Sequence, residues 1–294
     1  MNQSATHKKQ NAEMNGLVKQ RGKTLRMIAI FAIYMAACLH VSCPFLSSQL
    51  EGGILQASSF KPFTSASAEE EIPQESQRVI SDRFAELAEI NDEVVSWLIA
   101  GTDIDTVVVY RDNDHYLDHD FYGRYSKGGT VFIDEENENW ETDPYVIYYG
   151  HHMKDGSMFG PLIDYQELDY FKENTAIEVH SLYDNQVTQY VPFAVVDASV
   201  RLNHEEYFFL RRYETYASPI DSTAVHAFIA ELQDRSLYEI PGLDVTAEDQ
   251  IICLVTCSYR LKDGRLMVFC RRLHDGETAE EMAALIDANA VLKK

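Results

Sequence analysis

The sequence predicts a mostly β fold: a closed or nearly closed β-barrel with peripheral helices, carried behind an N-terminal membrane anchor. Three observations predict it. Beyond residue 100, short runs rich in Val, Ile, Tyr and Thr recur between turn-rich segments, which is the pattern of an all-β domain. Few segments carry helical spacing. One apolar stretch of about bilayer length lies near the N-terminus.

The anchor comes first along the chain. Over its 294 residues the protein carries 25 basic and 47 acidic side chains, a net charge of −22. An acidic body of this kind argues against nucleic acid as a partner. Residues 1–26 break the trend, with Lys8, Lys9, Lys19, Arg21, Lys23 and Arg26 against Glu13 alone. Met27 to Leu46 then holds no Asp, Glu, Lys or Arg, over roughly the 20 residues a membrane helix needs. Flanking positive charge stays in the cytoplasm. The expected layout is a cytoplasmic tail over 1–26, a single transmembrane anchor over 27–48 and a body outside the cell. His40 and Pro44 weaken the far end of the span, and a cleaved signal peptide with a site near Ser47-Ser48 is the alternative. Residues 49–75, rich in Ser, Gly, Ala and Glu with Pro62 and Pro73, read as a stalk. Residues 76–294 are left as the folded domain.

Within that domain, Ser76 to Leu98 reads as helical, with Ile80, Phe84, Leu87 and Ala88 on one face and Val94, Val95, Trp97 and Leu98 continuing the apolar load. Strands are expected at Thr106–Tyr110, Thr130–Ile133, Tyr145–Tyr149, Ala176–His180 and Val187–Val196. Helical pieces are expected around Met158–Tyr165, at Ser222–Leu237, where Val225, Phe228, Ile229 and Leu232 share a face, and at Thr278–Leu292. Gln250 to Phe269 reads as two antiparallel strands joined through Lys262-Asp263-Gly264, an Asp-Gly turn signal.

Two strand ends carry chemistry. Cys257 lies where the first strand of that hairpin runs out, and Arg265 lies where the second begins. A thiol and a guanidinium therefore meet at one end of a sheet, a rigid mount with an exposed tip. A Cys beside an apolar strand is more often a small buried hydrophobe. Upstream, Tyr145–Tyr149 ends at Gly150, and His151-His152 follow at once, placing an imidazole at a strand end too. A loop His bonded locally is the plain alternative. Zinc is a poorer one, because adjacent His side chains point apart and no second ligand pair accompanies them; His115 and His119 lack the metalloprotease Glu. No metal or other cofactor is expected. Cys253 and Cys257, four apart on one strand, stand about 13 Å apart, too far for a disulfide.

From Ile90 to Leu273 the chain resembles the class B sortases, membrane-anchored cysteine transpeptidases of Gram-positive bacteria. The resemblance rests on I-N-D-E-V-V-S-W-L-I-A-G-T-D-I-D (90–105), D-N-D-H-Y-L (112–117), S-K-G-G-T-V-F-I-D (126–134), Y-G-H-H-M-K-D-G-S-M-F (149–159), L-V-T-C (254–257) and G-R-L-M-V (264–268), in that order. It implies an eight-stranded sortase barrel with His151, Cys257 and Arg265 as the catalytic set and Asn113, Tyr149 and Thr256 at the substrate groove. His152 is the neighbour, not the catalytic residue. Cys253 and Ser96 depart from the family pattern without touching that set. The region Asn203–Ile220, where the substrate-recognition loop is expected, is the least family-like.

The chemistry agrees with the resemblance. A thiolate forms a thioester readily, an imidazolium can protonate the leaving amine, and a guanidinium stays charged beside a developing oxyanion. The implied partners are surface proteins bearing an N-P-x-T-x type sorting signal and an amine of a peptidoglycan precursor. Polymerisation of pilins by a class B enzyme is the runner-up. A secreted cysteine hydrolase of the papain-like kind would place its Cys before its His, the reverse of the order here. A non-catalytic anchored binding module would leave Cys257 buried and inert.

Overall fold

The computed structural model describes residues 78–199 and 221–293. The tail, anchor and stalk expected before residue 76, and the loop expected within Asn203–Ile220, lie outside the described residues. Among those described, no helix is long and apolar enough to cross a membrane.

Eight strands close into a barrel: β1 Val94–Ala100, β2 Ile104–Tyr110, β3 Val131–Ile133, β4 Tyr145–Tyr149, β5 Ile177–Ser181, β6 Val187–Ser199, β8 Ile251–Ser258 and β9 Gly264–Arg272. Two shorter strands, β7 Tyr238–Glu239 and β10 Val291–Leu292, pair with each other outside it. Around the barrel the order is β1-β2-β3-β4-β8-β9-β6-β5. Closure leaves no unpaired edge. The β2–β3 and β4–β8 pairs are parallel and the other barrel pairs antiparallel. The helices are α1 Asp82–Ile90, α2 Leu168–Glu173, α3 Ser222–Arg235 and α4 Ala279–Asn289. The mostly β barrel with peripheral helices is as expected.

The apolar runs explain the closure. β8 is buried along nearly its whole length, from Ile251 to Thr256, and β9 from Leu266 to Arg271. Their inner faces meet Leu98, Val146, Tyr148, Val195 and Phe228 in one core. A second cluster of Phe84, Val94, Val109, Tyr116, Phe121, Phe132 and Leu182 lies between α1 and the barrel wall.

Three expectations need correction. The helix expected over Ser76–Leu98 ends at Ile90, and Val94–Ala100 is a strand with alternating burial. Asn91 makes the break: its side-chain Oδ1 accepts from the Glu93 N–H at 2.9 Å, and its Nδ2 donates to Tyr116 Oη at 2.8 Å and to the Phe121 carbonyl at 2.9 Å. An Asn held this way competes with helix continuation. The helical piece around Met158–Tyr165 is a 3₁₀ helix over Pro161–Gln166, started by proline. The last helix stops at Asn289, because Val291 and Leu292 instead pair with β7.

The far end of β9 is locked by a nearly enclosed ion pair. Arg271 is 1% exposed. Its Nη1 and Nη2 donate to Glu277 at 2.7 and 2.8 Å, and its Nε donates to the Asp244 carbonyl at 2.6 Å. Arg271 holds the Glu277 carboxyl below its ordinary value of 4.5. A carboxyl depressed on folding stabilises the fold above its unfolded pKa and loses that contribution as pH falls. Arg271→Ala takes two charge-assisted bonds from Glu277, which keeps the His274 N–H at 2.8 Å, and urea melts at neutral pH should show a loss of about 1–3 kcal/mol. The gap between the variant and the parent should narrow as pH falls through 4.5 and below. A gap independent of pH would refute the ion-pair account.

Candidate active site

The β4–β8 and β8–β9 pairings bring the candidate residues to one barrel end. In the β8–β9 register Cys257 faces Arg265 directly, and the turn between them places Asp263 at φ 53°. Gly264 closes this turn, where a Cβ would lie 2.8 Å from the Ser258 carbonyl. β4 runs parallel to β8, ending with Tyr149 opposite Val255. The Gly150 N–H then donates to the Val255 carbonyl at 3.1 Å, which sets His151 beside the end of β8. Gly150 has a packing reason to be glycine, since a Cβ there would lie 2.5 Å from the Phe159 ring.

A cavity of about 300 Å³ opens at this point, lined by His151, Cys257 and Arg265 together with Asn113, Tyr149 and Thr256. All six residues singled out in the sequence therefore meet in one place. Leu117, Thr130, Phe132 and Val255 give it an apolar wall.

The three cysteines of the described domain are free and differ sharply in setting. Cys253 and Cys270 are fully buried, and burial pushes both thiols well above their ordinary range. Such thiols are protonated and inert. Cys257 is only partly buried.

His151 is oriented by a residue that sequence reasoning missed. Its Nε2 lies 2.7 Å from the Leu117 carbonyl. A carbonyl only accepts, so Nε2 carries the proton and Nδ1 remains for exchange. Arg265 donates one Nη1–H to the Gly264 carbonyl at 3.0 Å.

Asp134 was also missed. It is fully buried and accepts from the Tyr149 hydroxyl at 2.7 Å, from Asn113 Nδ2 at 3.2 Å and from the Glu136 N–H at 3.1 Å. Asn113 Oδ1 accepts in turn from the Glu135 N–H at 2.9 Å. Both ends of the Asn113 amide are thus engaged in holding the loop after β2 to the end of β3. Tyr149 and Asn113 form a braced wall of the cavity. The Thr256 hydroxyl donates to the Gly150 carbonyl at 2.9 Å, tying β8 to the His151 loop. Among the described residues, no group of three His, Cys, Asp or Glu is arranged to hold a metal ion. His115 and His119 stack at 4.3 Å, and His119 Nδ1 lies 2.7 Å from Asp118.

The arrangement can do acyl transfer: a partly exposed thiol, an imidazole with one defined free nitrogen and a guanidinium share one cavity. No family model matches the chain. It is 29% identical over 195 residues to the sortase B of Listeria monocytogenes, a match covering 64% of this chain and 73% of that protein. The solved sortase B of Bacillus anthracis in complex with AAEK1 is similar, with a TM-score of 0.55, 29% identity and coverage of 67% of this chain and 87% of that one. The Clostridium perfringens sortase B is similar at a TM-score of 0.55 and 25% identity, over 64% of this chain and 98% of that one.

Proposed function

We propose that the chain, similar to sortase B proteins at 29% and 25% identity, is a class B sortase, a cysteine transpeptidase, and that it cleaves a C-terminal N-P-x-T-x type sorting signal of surface proteins and transfers them to an amine of peptidoglycan or its precursor. The observation that carries this reading is the shared cavity of Cys257, His151 and Arg265 at one barrel end.

In this reading Cys257 Sγ, as thiolate, attacks the carbonyl carbon of the scissile amide. The C–S bond forms, and the carbonyl oxygen becomes an oxyanion within reach of the Arg265 guanidinium. His151, protonated at Nδ1 as well as Nε2, gives the Nδ1 proton to the leaving nitrogen as the C–N bond breaks. A thioester on Cys257 remains. The acceptor amine then attacks it, His151 Nδ1 takes the amine's proton, and collapse forms the new amide and frees the thiolate. The apolar wall of Leu117, Phe132 and Val255 shields the thioester from water, which favours transfer over hydrolysis. Tyr149, Asn113 and Thr256 shape the groove for the peptide.

The test is mass spectrometry of the full-length protein in detergent with a panel of sorting peptides. The expected result is a thioester adduct with an Asn-Pro-Xaa-Thr peptide, discharged by an added amine. An intact panel with no adduct overturns the reading. A pilin subunit as the acceptor amine would mark polymerisation instead of wall anchoring.

Such a reaction needs the domain outside the cell, held at the membrane where wall precursors are presented. The charge asymmetry about Met27–Leu46 supports this topology. Protease added to intact protoplasts should degrade the domain and spare the N-terminal tag of a tagged chain. The reverse pattern refutes it.

A further inference from the structure

We infer that His152 is a positioning residue that clamps the backbone of Cys257, taking over a sheet hydrogen bond where the backbone turns away. This rests on Cys257 and His151 as the reacting pair. The pairing of β4 with β8 supplies the argument. Tyr149 lies opposite Val255, and the Gly150 N–H donates to the Val255 carbonyl at 3.1 Å. In a parallel ladder the next such bond falls two residues further on each strand, from the N–H of residue 152 to the carbonyl of residue 257. The chain does not continue straight. It turns after Gly150 into a loop closed by the Phe159 N–H donating to the His151 carbonyl at 3.0 Å. The His152 side chain fills the missing place: its Nδ1 lies 3.1 Å from the Cys257 carbonyl.

Since a carbonyl only accepts, Nδ1 carries a proton and donates. Two further contacts hold the ring and its loop. The Tyr259 ring lies 5.2 Å away, tilted by 36°. Residues 152 and 158 bridge across the loop, and Met158 adopts a left-handed φ of 53° to allow it. Non-glycine residues adopt that conformation at a cost and persist in it where the surroundings demand it. Beyond the backbone bond from Gly150 to Val255, two side chains thereby join the loop carrying His151 to the strand end carrying Cys257, Thr256 Oγ1 to the Gly150 carbonyl and His152 to Cys257. The second joint is at the nucleophile's own peptide.

Replacements of His152 test this in the full-length protein. His152→Ala removes the donor. His152→Asn keeps an N–H near the position of Nδ1, whereas His152→Gln carries its N–H too far out. A misplacement of about 1 Å between reacting groups costs on the order of 10²-fold. The Ala and Gln variants should lose that much in kcat on an Asn-Pro-Xaa-Thr peptide, with KM nearly unchanged. The Asn variant should recover most of the loss and keep the parent's pH profile. Alkylation of Cys257 by a vinyl sulfone should slow in Ala and Gln and recover in Asn. Alkylation reads the Cys257–His151 geometry without any sorting peptide, so it tests the clamp even where the peptide panel gives no turnover and the functional reading fails. Parent-like alkylation in His152→Ala overturns the inference. So does an Asn variant as slow as Ala, and one that loses a limb of the pH profile would make His152 the proton carrier.

Discussion

Cys257→Ala should abolish both the thioester adduct and transpeptidation, while Cys253→Ala and Cys270→Ala keep both. Removing a covalent nucleophile costs roughly 10⁶-fold in kcat, so the variant should fall to background. The three thiols separate on physical grounds. Cys253 faces Phe269 across the hairpin and Cys270 faces Ile252, both within the packed core. Desolvation keeps each of these thiols protonated. Only Cys257 opens to a cavity, opposite a guanidinium and beside an imidazole. Peptide mapping of the trapped adduct decides the matter, and an adduct on Cys253 or Cys270 sinks the assignment. The neighbours also differ in stability cost. Cys253→Ala and Cys270→Ala leave small voids in β8 and β9, so both should melt earlier than the parent while remaining active.

The same hairpin shows what a sequence exposes and what it hides. β8 and β9 were legible because continuous apolar, β-branched runs flank an Asp-Gly turn, and both signals are local. The meeting of Cys257 with Arg265 followed from that register. The placement of His151 needed one more step, since β4 joins β8 in parallel across more than a hundred residues. The resemblance supplied that step. The α1–β1 boundary was misread because Val94, Val95, Trp97 and Leu98 satisfy helical spacing as well as alternation. Asn91 decides between them through partners at Tyr116 and Phe121 that local reading cannot see. The short β7–β10 pair was invisible for a related reason: two residues on each side carry no period at all. Asp134 carried no signal of its own either. Its importance lies in Asn113 and Tyr149, which the fold delivers from two other segments. The Leu117 contact to His151 uses a backbone carbonyl, which any residue would supply.

Arg265→Lys should be severely impaired although it conserves the charge. Arg265 stands across from Cys257 at the start of β9, half-buried at the cavity. One of its N–H groups is spent on the Gly264 carbonyl at 3.0 Å. That bond orients the planar guanidinium and leaves further donors of known direction for an oxyanion. Lysine has three rotatable donors on one nitrogen and no plane to anchor. It would either repeat the Gly264 contact or reach for the oxyanion, not both. Loss of one oxyanion donor typically costs about 10²–10³ in kcat, and the variant should fall in that range with KM little changed. Arg260 and Arg271 are the controls. Arg260 is exposed, 3.8 Å from Asp197, so Arg260→Lys should keep near-parent kcat. Arg271 lies at the opposite end of β9, facing Ile251 and bonded to Glu277, so its loss should appear in melts and leave kcat of the folded fraction intact. Single-turnover acylation of each variant separates these outcomes. A kcat for Arg265→Lys within threefold of the parent, or a larger acylation defect in Arg260→Lys, would remove Arg265 from the oxyanion site.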